Sequence, residues 1–151
     1  MLLAEALALR ADAQARLVQL RARLERNAQV QEGEAPDEPP ADLLAEYDRT
    51  CDALLALIQR INRTNAATPF GTGMLTDALA ERDVLGLRRK GLDVLLAAAA
   101  ERVNRYSRSE IKQVATVDVQ ALQQRADALA KAFRELDVRI QQANWQVEMR
   151  E

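Results

Sequence analysis

A chain of 151 residues fits one core, and its 48% apolar content is mostly Ala and Leu with only 3% aromatics, a mix that favours close-packed helices over sheets. A net charge of −2 removes any global attraction to nucleic acid or anionic membrane, and a single cysteine excludes an internal disulfide framework. The chain contains no histidine, the commonest general base and zinc ligand, so nothing of that kind can activate Cys51; neither an enzyme activity, a metal nor a cofactor is expected.

The first helix is predicted over about Leu2–Asn27, with Leu3, Leu7, Leu17, Leu20 and Leu24 on its apolar side. Glu5 and Arg10 interrupt its start, which argues against an export signal and makes the cytoplasm the expected compartment. From Glu32 to Pro40 the pattern breaks: Gly33, Pro36, Pro39, Pro40 and four acids predict an exposed loop. A second helix from about Ala41 carries Leu44, Tyr47, Cys51, Leu54, Ile58 and Ile61 at heptad spacing, with Cys51 read as a small core residue. Thr68, Pro69, Gly71 and Gly73 stop it, and no strand is expected in the chain.

Thr76 is the expected cap of a third helix bearing Leu85, Leu92, Leu96, Ala99 and Val103. Gly86 and Gly91 within it predict either close approach of a neighbouring helix or a kink. A mixed polar stretch, Asn104–Ala115, follows. Thr116 or Asp118 then caps a fourth helix with Val119, Leu122, Ala126, Leu129, Phe133, Leu136, Ile140 and Ala143 at strict 3-4 spacing. Asn65 and Asn144 are expected to end the second and fourth helices as left-handed caps. Trp145 is expected to cover the end of the bundle or, as the lesser alternative, to anchor a partner.

The second half echoes the first. Leu3-x-Glu5-Ala6-Leu7-x-x-Arg10 recurs as Leu75-x-Asp77-Ala78-Leu79-x-x-Arg82, and Leu57-x-x-Arg60-Ile61-x-x-x-Asn65 recurs as Leu136-x-x-Arg139-Ile140-x-x-x-Asn144, at offsets of 72 and 79. The expected fold is all-α: a duplicated helical hairpin of four long antiparallel helices with coiled-coil-like packing. It forms a single helical domain over 1–151, with repeat 1 at about 2–67 and repeat 2 at about 74–147. The longest apolar run, Val94–Ala100, is far short of the roughly 20 residues of a membrane span. Seams this narrow bury little apolar area per chain, so the expected partner is a second copy of the chain.

Two charged poles are the remaining candidates. Gln31–Asp48 carries seven acids and no base, without the spacing of a calcium loop, and reads as a solvated surface. Between Arg82 and Lys112, eight Lys or Arg face four acids. Within that stretch Arg102, Arg105, Tyr106, Arg108 and Lys112, with Arg88, Arg89 and Lys90 behind them, form a candidate anion or nucleic-acid contact: guanidinium forks match phosphate and a tyrosine ring can stack on a base. An ordinary interhelical loop is the favoured alternative, which leaves nucleic acid the less favoured partner.

The stretches Val30-Gln31-Glu32-Gly33, Ile61-Asn62-x-Thr64-Asn65-x-Ala67-Thr68, Glu81-Arg82-Asp83-Val84-Leu85 and Arg105-Tyr106-Ser107-Arg108-Ser109-Glu110-Ile111-Lys112, with Thr116-Val117-Asp118-Val119, resemble a family of small bacterial all-α proteins, some of whose members are labelled septicolysin. The resemblance covers nearly the whole chain. That label implies a cytolytic, membrane-acting protein, and the family implies no catalytic residue.

Overall fold

The computed structural model describes residues 1–101 and 112–151. Its four long helices are α1 (Leu3–Arg26), α2 (Pro40–Ala67), α3 (Leu75–Ala100) and α4 (Val119–Asn144). Between α2 and α3 sits a two-stranded β-hairpin, β1 (Pro69–Phe70) and β2 (Gly73–Met74), which corrects the expectation of no strand. Pro69 pairs with Met74 and Phe70 with Gly73, leaving Gly71 and Thr72 as a two-residue turn. Gly71 takes φ 58° while Thr72 does not turn positive, the combination of a type II′ turn, whose first central position calls for glycine.

The chain divides into two units. The first comprises Met1–Met74 and Gln142–Glu151. Its helices α1 and α2 run antiparallel, as the cross-links Arg16–Glu46 and Arg23–Glu38 require. Along α1 a strict 3-4 repeat of covered positions runs through Leu3, Ala6, Arg10, Ala13, Leu17, Leu20, Leu24 and the terminal Asn27, with Ala4, Leu7, Arg16 and Arg23 half-buried beside it. Along α2 the same repeat runs through Leu43, Tyr47, Thr50, Leu54, Leu57, Ile61 and Thr64, with Cys51 and Ile58 half-buried beside it. The expected α2 stripe is met at Tyr47, Cys51, Leu54, Ile58 and Ile61, all at least half-buried, and misses at Leu44, which is 51% exposed whereas Leu43 is buried. Two threonines lie on the covered face as well. Thr50 and Thr64 complete the true seam, and each hides its hydroxyl by donating to the carbonyl one turn back, to Glu46 at 2.8 Å and Arg60 at 2.9 Å.

Helix α2 begins with Pro40 at its first position, where the missing N–H costs nothing. It continues through Ala67, so Asn65 lies inside it rather than at its end. Asn144 is the last residue of α4 and buried, but no non-glycine among the described residues has positive φ, so neither asparagine is a left-handed cap. Past Asn144 the chain turns back along the start of α1: the Leu3 amide donates to the Val147 carbonyl at 2.8 Å and the Met149 amide to the Met1 carbonyl at 2.9 Å. The Arg150 amide then donates to the fully buried Thr64 hydroxyl at 3.0 Å. That path seats Met149 in the interior and leaves Trp145 63% exposed, the opposite of its expected covering role.

The second unit is Leu75–Gln141. Arg82 pairs with Asp137 at 2.8 Å and the Cβ direction of Gly86 meets the Phe133 ring at 3.6 Å, so α3 and most of α4 also run antiparallel. Thr76 falls inside α3 and is not its cap, whereas Asp118 does cap α4, accepting from the Ala121 amide at 3.0 Å. The covered positions on α4 are the expected Leu122, Ala126, Leu129, Phe133, Leu136, Ile140 and Ala143, without Val119, which is exposed. On α3 the corresponding set, with Leu79 and Gly86 half-buried beside it, is Leu75, Ala78, Arg82, Leu85, Leu92, Leu96 and Ala99. These lie 72 residues beyond covered positions of α1, as the α4 set lies 79 beyond that of α2. Val103, expected on the α3 stripe, lies outside the described residues.

Candidate functional site

Of the candidate anion contacts, Arg102, Arg105, Tyr106 and Arg108 lie outside the described residues; Lys112 is described and exposed on the connection before Asp118. Arg88, Arg89 and Lys90 occupy successive positions of α3 and are all exposed. At about 100° per residue they fan around roughly half of the helix. Arg89 reaches Asp93, one turn on, at 3.7 Å, an exposed pair that leaves the guanidinium largely solvated. Gly86, Arg89, Lys90, Asp93 and the Phe133 ring together line an open notch of about 240 Å³. Two cations and one carboxylate above an aromatic edge can attract a small anion, but each of these charges stands in high dielectric, which weakens the attraction.

The acidic pole is partly neutralised rather than simply solvated. Glu46 accepts from Arg16, with Nε at 3.0 Å, and Glu38 accepts a forked pair from Arg23, with Nε at 2.9 Å. The guanidinium bonds hold both carboxyls below the usual carboxylate range and raise Arg23 further above its already high value. Asn27 completes the join: its side chain donates to the Arg23 carbonyl at 2.9 Å and accepts from the Glu38 amide at 3.1 Å. This cluster pins the Pro-rich loop to the end of α1, a structural use of charges that leaves them less available to a ligand. Among the described residues no group of three or more His, Cys, Asp or Glu side chains could hold a metal ion, and no helix is long and apolar enough to cross a membrane.

The surface that sequence reasoning missed is on α3. Besides its covered face, α3 presents Ala80, Val84, Leu87, Gly91, Val94 and Ala98, all exposed, with Leu87 at 68% and Val94 at 65%. Their spacing, 4-3-4-3-4, is that of a heptad seam with Val84, Gly91 and Ala98 at a positions and Ala80, Leu87 and Val94 at d positions. Gly91, which meets nothing within 4 Å of its Cβ direction, belongs to this outer seam, whereas Gly86 faces Phe133; the two glycines serve different faces. The signal was present in the sequence, but a helix with two apolar stripes defeats a search for a single one.

Helix α3 thus carries a covered face on one side and an exposed apolar stripe on the other. The chain belongs to a family of unknown function, DUF6847, whose model matches residues 10–149. It is similar, at 44% identity and a TM-score of 0.93 over 99% of both chains, to a solved structure described as that of a functionally unknown conserved protein from Corynebacterium diphtheriae. No curated protein matches it.

Proposed function

We propose that this protein is a non-enzymatic helical interaction module that acts by self-association, with the outer seam of α3 as its contact surface. The observation that carries the reading is the exposure of Val84, Leu87 and Val94 on one heptad stripe, since apolar side chains repeated at that spacing gain most by meeting another helix. The absence of histidine from the sequence supports the non-enzymatic part. The stripe from Ala80 to Ala98 is about 28 Å long at 1.5 Å per residue. Two helices touching over that length are expected to bury less than the roughly 1,200 Å² at the low end of stable interfaces, which fits a dimer that forms only as concentration rises.

Sedimentation velocity across about 1–200 μM tests this. The wild-type chain is expected to shift from monomer to dimer, and Val84→Glu, which alters only an exposed site, is expected to stay monomeric. A wild-type monomer at every concentration would refute the reading.

A second reading, phosphate or RNA contact by Arg88, Arg89, Lys90 and Lys112 together with Arg102, Arg105, Tyr106 and Arg108, is supported by the exposure of the first four. Binding of a short single-stranded RNA that weakens steeply with salt would favour it. The lytic activity implied by the septicolysin label is tested by dye-filled liposomes, which are expected to stay intact.

A further inference from the structure

We propose that a second copy of this chain docks on the outer seam of α3 in parallel and in register, with Asp83 of each copy against Arg88 of the other. The inference rests on the self-association reading and adds the orientation, the register and the ion pairs. The positions flanking the seam carry the argument. On one side lie Glu81, Arg88 and Leu95, on the other Asp83, Lys90 and Ala97, all exposed.

In a parallel pair the flank residue Asp83 of one helix lies beside the opposite flank five residues on in its neighbour, which is Arg88. A two-fold axis along the seam makes that pairing twice, because a symmetric interface repeats every contact. Asp83 can make it: its ion pair with Arg82 Nε is a long one, at 3.9 Å, and its side chain is largely solvated. Lys90 falls next to Leu95 of the second copy, where its aliphatic stem can cover the leucine. All six seam residues meet their own counterparts. Val84 at an a position above Leu87 at d is the combination that favours two parallel strands.

The antiparallel registers fail on the same residues. The one that covers all six seam positions is centred on residue 89, which brings Arg88 against Arg88 and Lys90 against Lys90 of the second copy. The one that matches Glu81 with Arg88 and Asp83 with Lys90 slides the second copy by a whole heptad, and then Val94 faces Asp77 and Ala98 faces Gly73. Of these three arrangements, covered apolar area and charge pairing coincide in the parallel, in-register one.

Disulfide trapping of the full chain in a Cys51→Ser background distinguishes these. Leu87→Cys alone and Val94→Cys alone are each expected to form a covalent dimer on mild oxidation, since each d position faces itself across the axis. A mixture of Val84→Cys and Val94→Cys chains is expected to give no mixed dimer; if the mixed dimer dominates, the parallel arrangement is overturned. Charge exchange provides a second readout. Asp83→Arg is expected to weaken dimerisation about tenfold by replacing two exposed pairs with repulsions, and adding Arg88→Asp to the same chain is expected to restore it. Failure of that rescue overturns the pairing. If the Cys51→Ser chain sediments as a dimer but neither single-cysteine variant is trapped, the orientation falls and self-association stands; if it sediments only as a monomer, both fall.

Discussion

Helix α3 allows one substitution to be compared with itself on two faces, at positions five residues apart. Leu92 is 9% exposed and Leu87 is 68% exposed. Full burial of a leucine side chain contributes about 1.5–3 kcal/mol, so Leu92 holds nearly all of that in the folded monomer and Leu87 about a third. Truncation at Leu92 also leaves a cavity that neighbouring side chains fill only in part, which brings the expected loss for Leu92→Ala to about 2–5 kcal/mol. For Leu87→Ala the lost burial, about 0.5–1 kcal/mol, is offset in part by the better helix propensity of alanine. Urea unfolding followed by circular dichroism at low micromolar concentration, where association contributes little, measures both losses. The association constants should rank the other way: Leu87→Ala weakens the dimer, and Leu92→Ala, where folded, does not. Equal unfolding losses at the two positions would show that α3 has no covered face distinct from an open one, and the argument for an outer seam would go with it.

Three further outcomes follow from local geometry. Thr64→Val keeps the buried shape but strips the acceptor from the Arg150 amide, and is expected to cost about 1–2 kcal/mol with faster hydrogen exchange at Arg150; unchanged exchange would contradict the clasp. Glu38 and Glu46 titrate below their unfolded values because arginines donate to them, so their contribution is complete above about pH 4.3 and is lost as pH falls through the lower folded values. The double variant Glu38→Gln/Glu46→Gln should therefore lose less stability on acidification than the wild type, as read from melting temperature against pH. Asp118→Ala removes the cap of α4 and is expected to cost about 1 kcal/mol in urea unfolding, with Asp118→Ser recovering most of it.

The fourth helix was legible almost residue by residue, because its seam is made of leucine, phenylalanine, isoleucine and alanine at unbroken 3-4 spacing. The second was legible only in part. Its seam passes through Thr50 and Thr64, which count as polar in a sequence but are apolar in effect once their hydroxyls bond to the helix itself. Leu44, as hydrophobic as its neighbour Leu43, drew the start of the expected stripe one residue aside. Trp145 illustrates a different limit: its exposure follows from backbone pairing of residues 147 and 149 with residues 1 and 3, a long-range register that no local pattern encodes. As for the candidate site, the exposure of Arg88, Arg89 and Lys90 agrees with their charge, whereas the outer seam went unread because alanine and glycine on α3 blur the boundary between its two apolar stripes.

The discontinuity of the first unit bears on the order in which the molecule can be made. Its last portion, Gln142–Glu151, is separated from the rest by the whole of Leu75–Gln141, so during synthesis α1 and α2 emerge with Thr64 and the start of α1 still lacking their backbone partners. The hairpin of α3 and α4 has the shorter closure and is expected to form first, since local contacts incur less loop entropy than distant ones. Once it has folded, the intervening segment no longer behaves as a long flexible loop, and the final closure onto Thr64 becomes cheaper. The clasp is therefore expected to close late: a ribosome-bound or truncated chain ending before Val147 would leave the Leu3 amide without the Val147 carbonyl and the Thr64 hydroxyl without the Arg150 amide, and its first unit is expected to open more readily until the closing residues arrive.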